Sequence, residues 1–138
     1  MISMAAGMAL AGLRPYCYSG LIFLLMRAFE QIRVDVCYNK LPVKLIGTGA
    51  SGFLGETHNL TGSENEEDLL KNLPNLKRFY PKNEQELKQA LKHKGAAYIR
   101  LWHQNITKAT KPGLIKIQKD IKSHGGCPHK IIWLKIKE

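Results

Sequence analysis

Glycine stands at positions 47, 49, 52 and 55, and Glu56-Thr57-His58 follows. This stretch is the part of the chain best suited to chemistry. Glycine tolerates positive φ and lets backbone approach a ligand, and an imidazole near neutrality can donate to a developing oxyanion or carry a proton. The bland alternative for His58 is a solvated loop side chain. Arg27 and Arg100 are the other polar candidates, because a guanidinium grips hydroxyls or phosphates through forked hydrogen bonds. Each has a structural reading as well, a surface helix arginine for Arg27 and a buried ion pair for Arg100. Tyr18 and Phe23 offer flat aromatic faces, although periodicity alone makes Tyr18 a core strand residue and Phe23 a helix knob. His124, Cys127 and His129 are metal-ligand types within one turn, but a zinc site needs a second cluster and none follows.

The elements that would position these residues alternate. An uncharged helix spans Met1 to Gly12, rich in Ala, Met and Gly as in a helix packed closely on all sides. No capping residue precedes it, as in a module truncated at its N-terminus. A short buried strand follows at Pro15 to Ser19. Gly20 then releases the chain into a helix from Phe23 to Tyr38, with Phe23, Met26, Phe29, Ile32 and Val36 recurring at helical spacing. Pro42 to Ile46 is a second strand and leads into the glycine loop. Ser63 and Glu66 form a capping box for a helix from Glu64 to about Asn72, which Pro74 ends. Lys77 to Tyr80 is a third strand. Asn83 and Glu86 repeat the capping box and open a helix through His93, with Leu87, Ala90 and Leu91 as its stripe. Gly95 stops that helix before a fourth strand at Ala97 to Leu101. Strict alternation implies an α/β fold, a three-layer sandwich with a mostly parallel sheet and helices on both faces. After Trp102 the pattern degrades into a lysine-rich tail in which Ile131 to Ile136 reads as a last strand.

Bulk properties narrow the classes. The chain has 138 residues, 44% of them apolar, enough for one core. Its net charge of +10 points toward polyanions. That excess sits mainly in the tail: residues 1–100 hold 13 Lys/Arg against 9 Asp/Glu, and residues 101–138 hold 8 against 2. The tail lysines lack interleaved aromatics apart from Trp102 and Trp133, which disfavours nucleic acid. The 3 cysteines form no even disulfide framework and suit a reducing cytoplasm. The apolar run Leu21 to Met26 is far short of the roughly 20 residues a membrane span needs.

In order, "MAAGMALAGLRPYCYS", "FLLMRAFEQIRVDVCYNKLPV", "GETHN", "LPNLKRFYPKNEQELKQAL" and "AYIRL" resemble the pyrimidine-binding domain of transketolase-like thiamine diphosphate enzymes. The resemblance spans about residues 1 to 101. Residues 102–138 stand outside it as a basic tail of unknown role. The resemblance implies that Tyr18 and Phe23 wall the cofactor's aminopyrimidine and that Arg27 faces the active site. It implies too that His58 is the catalytic histidine touching the ketose or the developing intermediate, and that Arg100 receives the substrate phosphate. The family's diphosphate module carries a Gly-Asp-Gly motif that this sequence lacks, so a partner subunit is expected to hold the diphosphate and its Mg²⁺. The implied assembly is a hetero-oligomer transferring ketol units between sugar phosphates.

Two departures temper that expectation. The family's central glutamate, in a Glu-Gln-Asn or Glu-Gln-His motif, lies just upstream of a helix resembling Met1 to Gly12. If Met1 is the true start, the chain is expected to be nearly inactive even with its partner; alone, it is expected to be inactive in either case. In the loop, Phe53 stands about where many members carry an acid, and Glu56 replaces a proline or glutamine. A non-catalytic remnant or regulatory binding module of the same family is therefore the alternative.

Overall fold

Four short segments, rich in apolar residues except for the basic third, become parallel strands of one sheet. The computed structural model describes residues 1–48, 63–101 and 130–133. In chain order the elements are α1 (Ile2–Leu10), β1 (Pro15–Gly20), α2 (Leu21–Leu25), α3 (Phe29–Gln31), a π-wound segment (Ile32–Tyr38) and β2 (Lys44–Thr48). Then come α4 (Ser63–Lys71), β3 (Lys77–Phe79), α5 (Glu84–Lys92), β4 (Ala97–Leu101) and β5 (Lys130–Trp133). The sheet order is β3-β4-β2-β1-β5. β1, β2, β4 and β3 pair in parallel, while β5 lies antiparallel on the edge of β1, with Tyr16 opposite Ile132 and Tyr18 opposite Lys130. All five residues of β4 are buried, as expected of a parallel strand covered on both faces.

Residues paired across neighbouring strands share a face, and successive residues alternate. Cys17, Leu45 and Tyr98 therefore look toward α1, α2, the π segment and α4, where Ala5, Leu24, Leu25, Ile32, Val36 and Leu70 complete one apolar layer. Ile46, Phe79, Ala97 and Ile99 look the other way and pack on Leu87, Ala90 and Leu91 of α5. Helices thus cover both faces, and the α/β sandwich read from the alternation is the observed fold. Burying a side chain such as Leu24 contributes about 1.5–3 kcal/mol. The Asn83 side chain accepts from the Glu86 N–H at 2.9 Å and so caps α5 as its residue type predicts, while the Glu86 carboxylate reaches one residue further back and accepts from the Lys82 N–H at 2.8 Å.

Two expectations are corrected. The single helix over 23–38 is broken: α2 ends at Leu25, and the chain resumes as α3 before winding into the wider π segment. The break moves the buried stripe onto Leu21, Leu24, Leu25, Ile32 and Val36, leaving Met26 exposed and Phe23 and Phe29 only half-buried. Helix α1 is not packed on all sides either. Ile2, Ala5, Ala6, Met8 and Ala9 face inward, while Met4 and Leu10 are 63% and 75% exposed. Small residues let α1 sit close to β1 and the π segment on its inner side, and at the surface Ser3 Oγ donates to Asp35 Oδ2 at 2.6 Å.

At the amino-terminal rim of the sheet, Tyr16, Lys44, Ala97 and Lys77 form one row beneath the end of α5. The Tyr16 hydroxyl donates to the Leu91 carbonyl at 3.4 Å, and Lys44 Nζ donates to the Gly95 carbonyl at 2.5 Å. Tyr16 thus serves a carbonyl that the helix leaves open at its carboxyl end, and Lys44 serves one in the turn that follows. Lys44 is nonetheless 1% exposed, and burial, with Arg14 nearby, brings its ammonium down to about 8. Burial pushes the thiols of Cys17 and Cys37 up, to about 12 and about 11. Among the described residues no helix is long and apolar enough to cross a membrane.

Candidate functional site

Parallel sheets present ligand sites beyond the carboxyl ends of their strands, so the end formed by Gly20, Thr48 and Leu101 is where the candidate residues must meet. Tyr18 is the third-last residue of β1 and Phe23 the third residue of α2, with Gly20 forming the turn between them. Both aromatic rings are half-buried. The Tyr18 hydroxyl accepts from Thr48 Oγ1 at 3.5 Å, joining the ends of β1 and β2. The Arg27 guanidinium lies over the Phe23 ring, 4.3 Å from its centroid. A cation on an aromatic face at an exposed position is worth about 0.5–1 kcal/mol. Arg27, in the break between α2 and α3, is therefore stacked on Phe23 instead of extending freely. His58 lies outside the described residues, as do His124, Cys127 and His129.

Arg100 sits on the opposite face from Tyr18. Ser19, Gly47 and Arg100 form one row across β1, β2 and β4, whereas Tyr18 belongs to the next row with Ile46 and Ile99. Arg100 is 3% exposed and its Nη1 donates to Glu66 Oε2. The other carboxylate oxygen, Oε1, accepts from the Tyr98 hydroxyl at 2.6 Å. Glu66 is 2% exposed and stands in the first turn of α4. Burial pushes its carboxyl upward from the ordinary range, and Tyr98 and Arg100 pull it back only in part. Its own burial and the same carboxylate drive the Tyr98 hydroxyl strongly upward, so Tyr98 remains a donor at every relevant pH. The structure thus gives Arg100 an internal ion-pair partner.

Glu66 escapes a reading by sequence. There it serves as the capping-box partner of Ser63, yet in the fold both its oxygens engage β4. The only available signal is a buried strand carrying Tyr98 and Arg100, which demands an acceptor without naming it. Gly47 contributes by what it lacks: a Cβ there would stand 2.9 Å from the Tyr98 hydroxyl oxygen. Since Glu66 holds that hydroxyl, the ring has little freedom to yield. Gly47→Ala is expected to cost about 1–2 kcal/mol through overpacking, read as a lowered urea midpoint with unchanged slope. A neutral outcome would show that the ring can tilt away from the strand. Among the described residues no group of three or more His, Cys, Asp or Glu is placed to hold a metal ion.

Comparison with known proteins places this geometry. The sequence profile described as "Transketolase, pyrimidine binding domain" matches residues 1–107. An apulose-4-phosphate transketolase subunit of Actinobacillus succinogenes is 38% identical over 108 residues, covering 73% of this chain and 34% of that protein. A 1-deoxy-D-xylulose-5-phosphate synthase of Methylacidiphilum infernorum is 36% identical over 131 residues, 88% of this chain and 20% of that protein. A solved structure described as a split gene transketolase, inactive beta4 tetramer, superposes with a TM-score of 0.59 at 35% identity, covering 72% of this chain and 32% of that one. The chain spans about a third or less of the length of these relatives. With its alternating elements, its parallel sheet and this match over residues 1–107, the chain belongs to the transketolase pyrimidine-binding-domain family.

Proposed function

We propose that this chain is the pyrimidine-binding part of a thiamine diphosphate-dependent, transketolase-like enzyme, in which a separate subunit holds the diphosphate and Mg²⁺. The observation that carries the reading is the family match over residues 1–107 together with a relative that is itself named as one subunit of a transketolase. The residues present suit the aminopyrimidine half of the cofactor. Half-buried Tyr18 and Phe23 flank the β1–α2 turn, and aromatic faces hold flat rings with about 0.5–1.5 kcal/mol beyond area burial. When bound, the cofactor supplies the nucleophilic carbon that takes up a ketol unit. This chain's own residues bind and orient: Tyr18 and Phe23 wall the ring, Arg27 and Arg100 meet the polar or phosphorylated end of a sugar, and His58 moves a proton at the ketose. Ketol transfer between sugar phosphates is the reaction this arrangement serves.

The experiment is calorimetry of thiamine diphosphate with Mg²⁺ against the chain alone and against the chain mixed with a diphosphate-binding subunit carrying Gly-Asp-Gly. The chain alone should show no tight binding, and the mixture should show it. Tight binding by the isolated chain would overturn the division of labour, and no binding by a mixture shown to form a complex would overturn the cofactor.

A further inference from the structure

We propose that Glu66 is a specificity-determining residue, which sets how strongly Arg100 holds an anion at the carboxyl end of β4 by countering the guanidinium charge from within the chain. The inference rests on the reading of Arg100 as the group that meets the anionic end of a substrate.

A guanidinium attracts a phosphate or sulfonate because it is a fixed cation with forked donors. Here a carboxylate already occupies one arm of the fork in a site where both partners are almost wholly buried. Buried pairs are screened little, so the Glu66 charge offsets most of the field an incoming anion would feel from Arg100. Geometry adds to this. Glu66 stands in the first turn of α4, and its second oxygen is fixed by Tyr98 on the same strand as Arg100. One carboxylate therefore ties the start of α4 to β4 at two points. With Arg100 3% exposed, an anion reaches it only as its surroundings rearrange. Glu67, the next residue on α4, does not substitute for Glu66. Its own oxygens accept from Arg78 and Tyr80 of the neighbouring strand region. The anion-binding strength of the strand end is thus written on α4, in the helix that follows the glycine-rich loop and His58 in the chain.

The test uses sulfate, which stays fully ionised across the working range, titrated into the full chain and followed by NMR of the arginine side chains and the Tyr98 ring. Glu66→Gln retains an oxygen acceptor and removes the charge. It should bind sulfate at least about tenfold more tightly than the wild type, and Glu66→Gln with Arg100→Gln should lose the gain. Equal affinity in the wild type and Glu66→Gln, a gain that survives the loss of Arg100, or no response at Arg100 in either chain would overturn the proposal. Should Glu66→Gln fail to fold, the wild type decides. As sulfate exchanges for the carboxylate, the Arg100 and Tyr98 signals must shift together, and a shift at Arg100 with Tyr98 unmoved would overturn the proposal. No cofactor enters this measurement, so its failure is separable from a failure of the calorimetric test above.

Discussion

Replacing Arg100 by methionine should destabilise the chain by about 3–5 kcal/mol at pH 8, because it leaves a buried carboxylate without its cation. Methionine keeps most of the apolar stem, so little of that loss is packing. Glu66 is 2% exposed, and its remaining partner, the Tyr98 hydroxyl, donates a single hydrogen bond. The pH dependence carries the diagnosis. Burial already raises the Glu66 carboxyl, and removing Arg100 deletes one of the effects that lower it. In the variant the folded chain then holds a proton on Glu66 at pH values where the unfolded chain, titrating near 4.3, has lost it. When the folded state binds more protons than the unfolded state, stability falls as pH rises. The deficit should therefore be small near pH 4 and grow as pH rises through the raised carboxyl. Urea midpoints at both ends of that range measure it. A deficit independent of pH would mean that Glu66 is not the source. Glu66→Leu combined with Arg100→Met should recover most of the loss, since apolar replacement of a whole buried pair is often nearly neutral, less the cost of the unpaired Tyr98 hydroxyl.

That expectation also shows where reading by residue type ends. β4 is legible to the residue because Gly95 punctuates a run that is apolar but for Arg100, and both faces of a parallel strand are buried. Likewise α5 is legible because Asn83 and Glu86 form a start signal that acts locally, within 3 residues. The region 21–38 misleads for a physical reason. Leu21, Leu24 and Leu25 compete with Phe23, Met26 and Phe29 for the core, and two overlapping apolar stripes allow a straight helix on paper. The fold resolves them by breaking at 26–28 and widening the winding beyond Gln31. Tyr18 and Phe23 come to one end of the sheet through a short turn, which sequence order conveys. The partner of Arg100 does not follow from order, because Glu66 lies 34 residues away and is brought to β4 only by the packing of α4. Periodicity can say that a buried arginine needs an acid. It cannot choose among the acids.

The second large effect concerns the other end of the sheet. Lys44→Met should raise stability at pH 7 by about 2 kcal/mol, since the wild-type chain buries an ammonium against the Gly95 carbonyl with no counter-charge among the described residues to offset its desolvation. Its titration falls from 10.5 to about 8, and each unit is worth about 1.36 kcal/mol. The row lies at the rim of the sheet near Arg14 and Lys77, so solvent relieves part of that total, and the lost hydrogen bond removes more. The sign follows from proton counting. Below about pH 8 lysine is charged in both states and the cost of burial is fully present. Between about 8 and 10.5 the unfolded chain binds more protons than the folded one, so this residue's contribution to stability rises with pH. The two cysteines act oppositely there, because their raised thiols are more readily ionised in the unfolded chain. The wild-type curve alone therefore mixes both signs, but the difference between wild type and Lys44→Met cancels the cysteines. That difference should be largest at pH 7 and shrink steadily toward pH 10. Thermal unfolding across that range measures it, and an advantage for methionine that stays constant, or grows, would show that the charge on Lys44 adds no cost to folding.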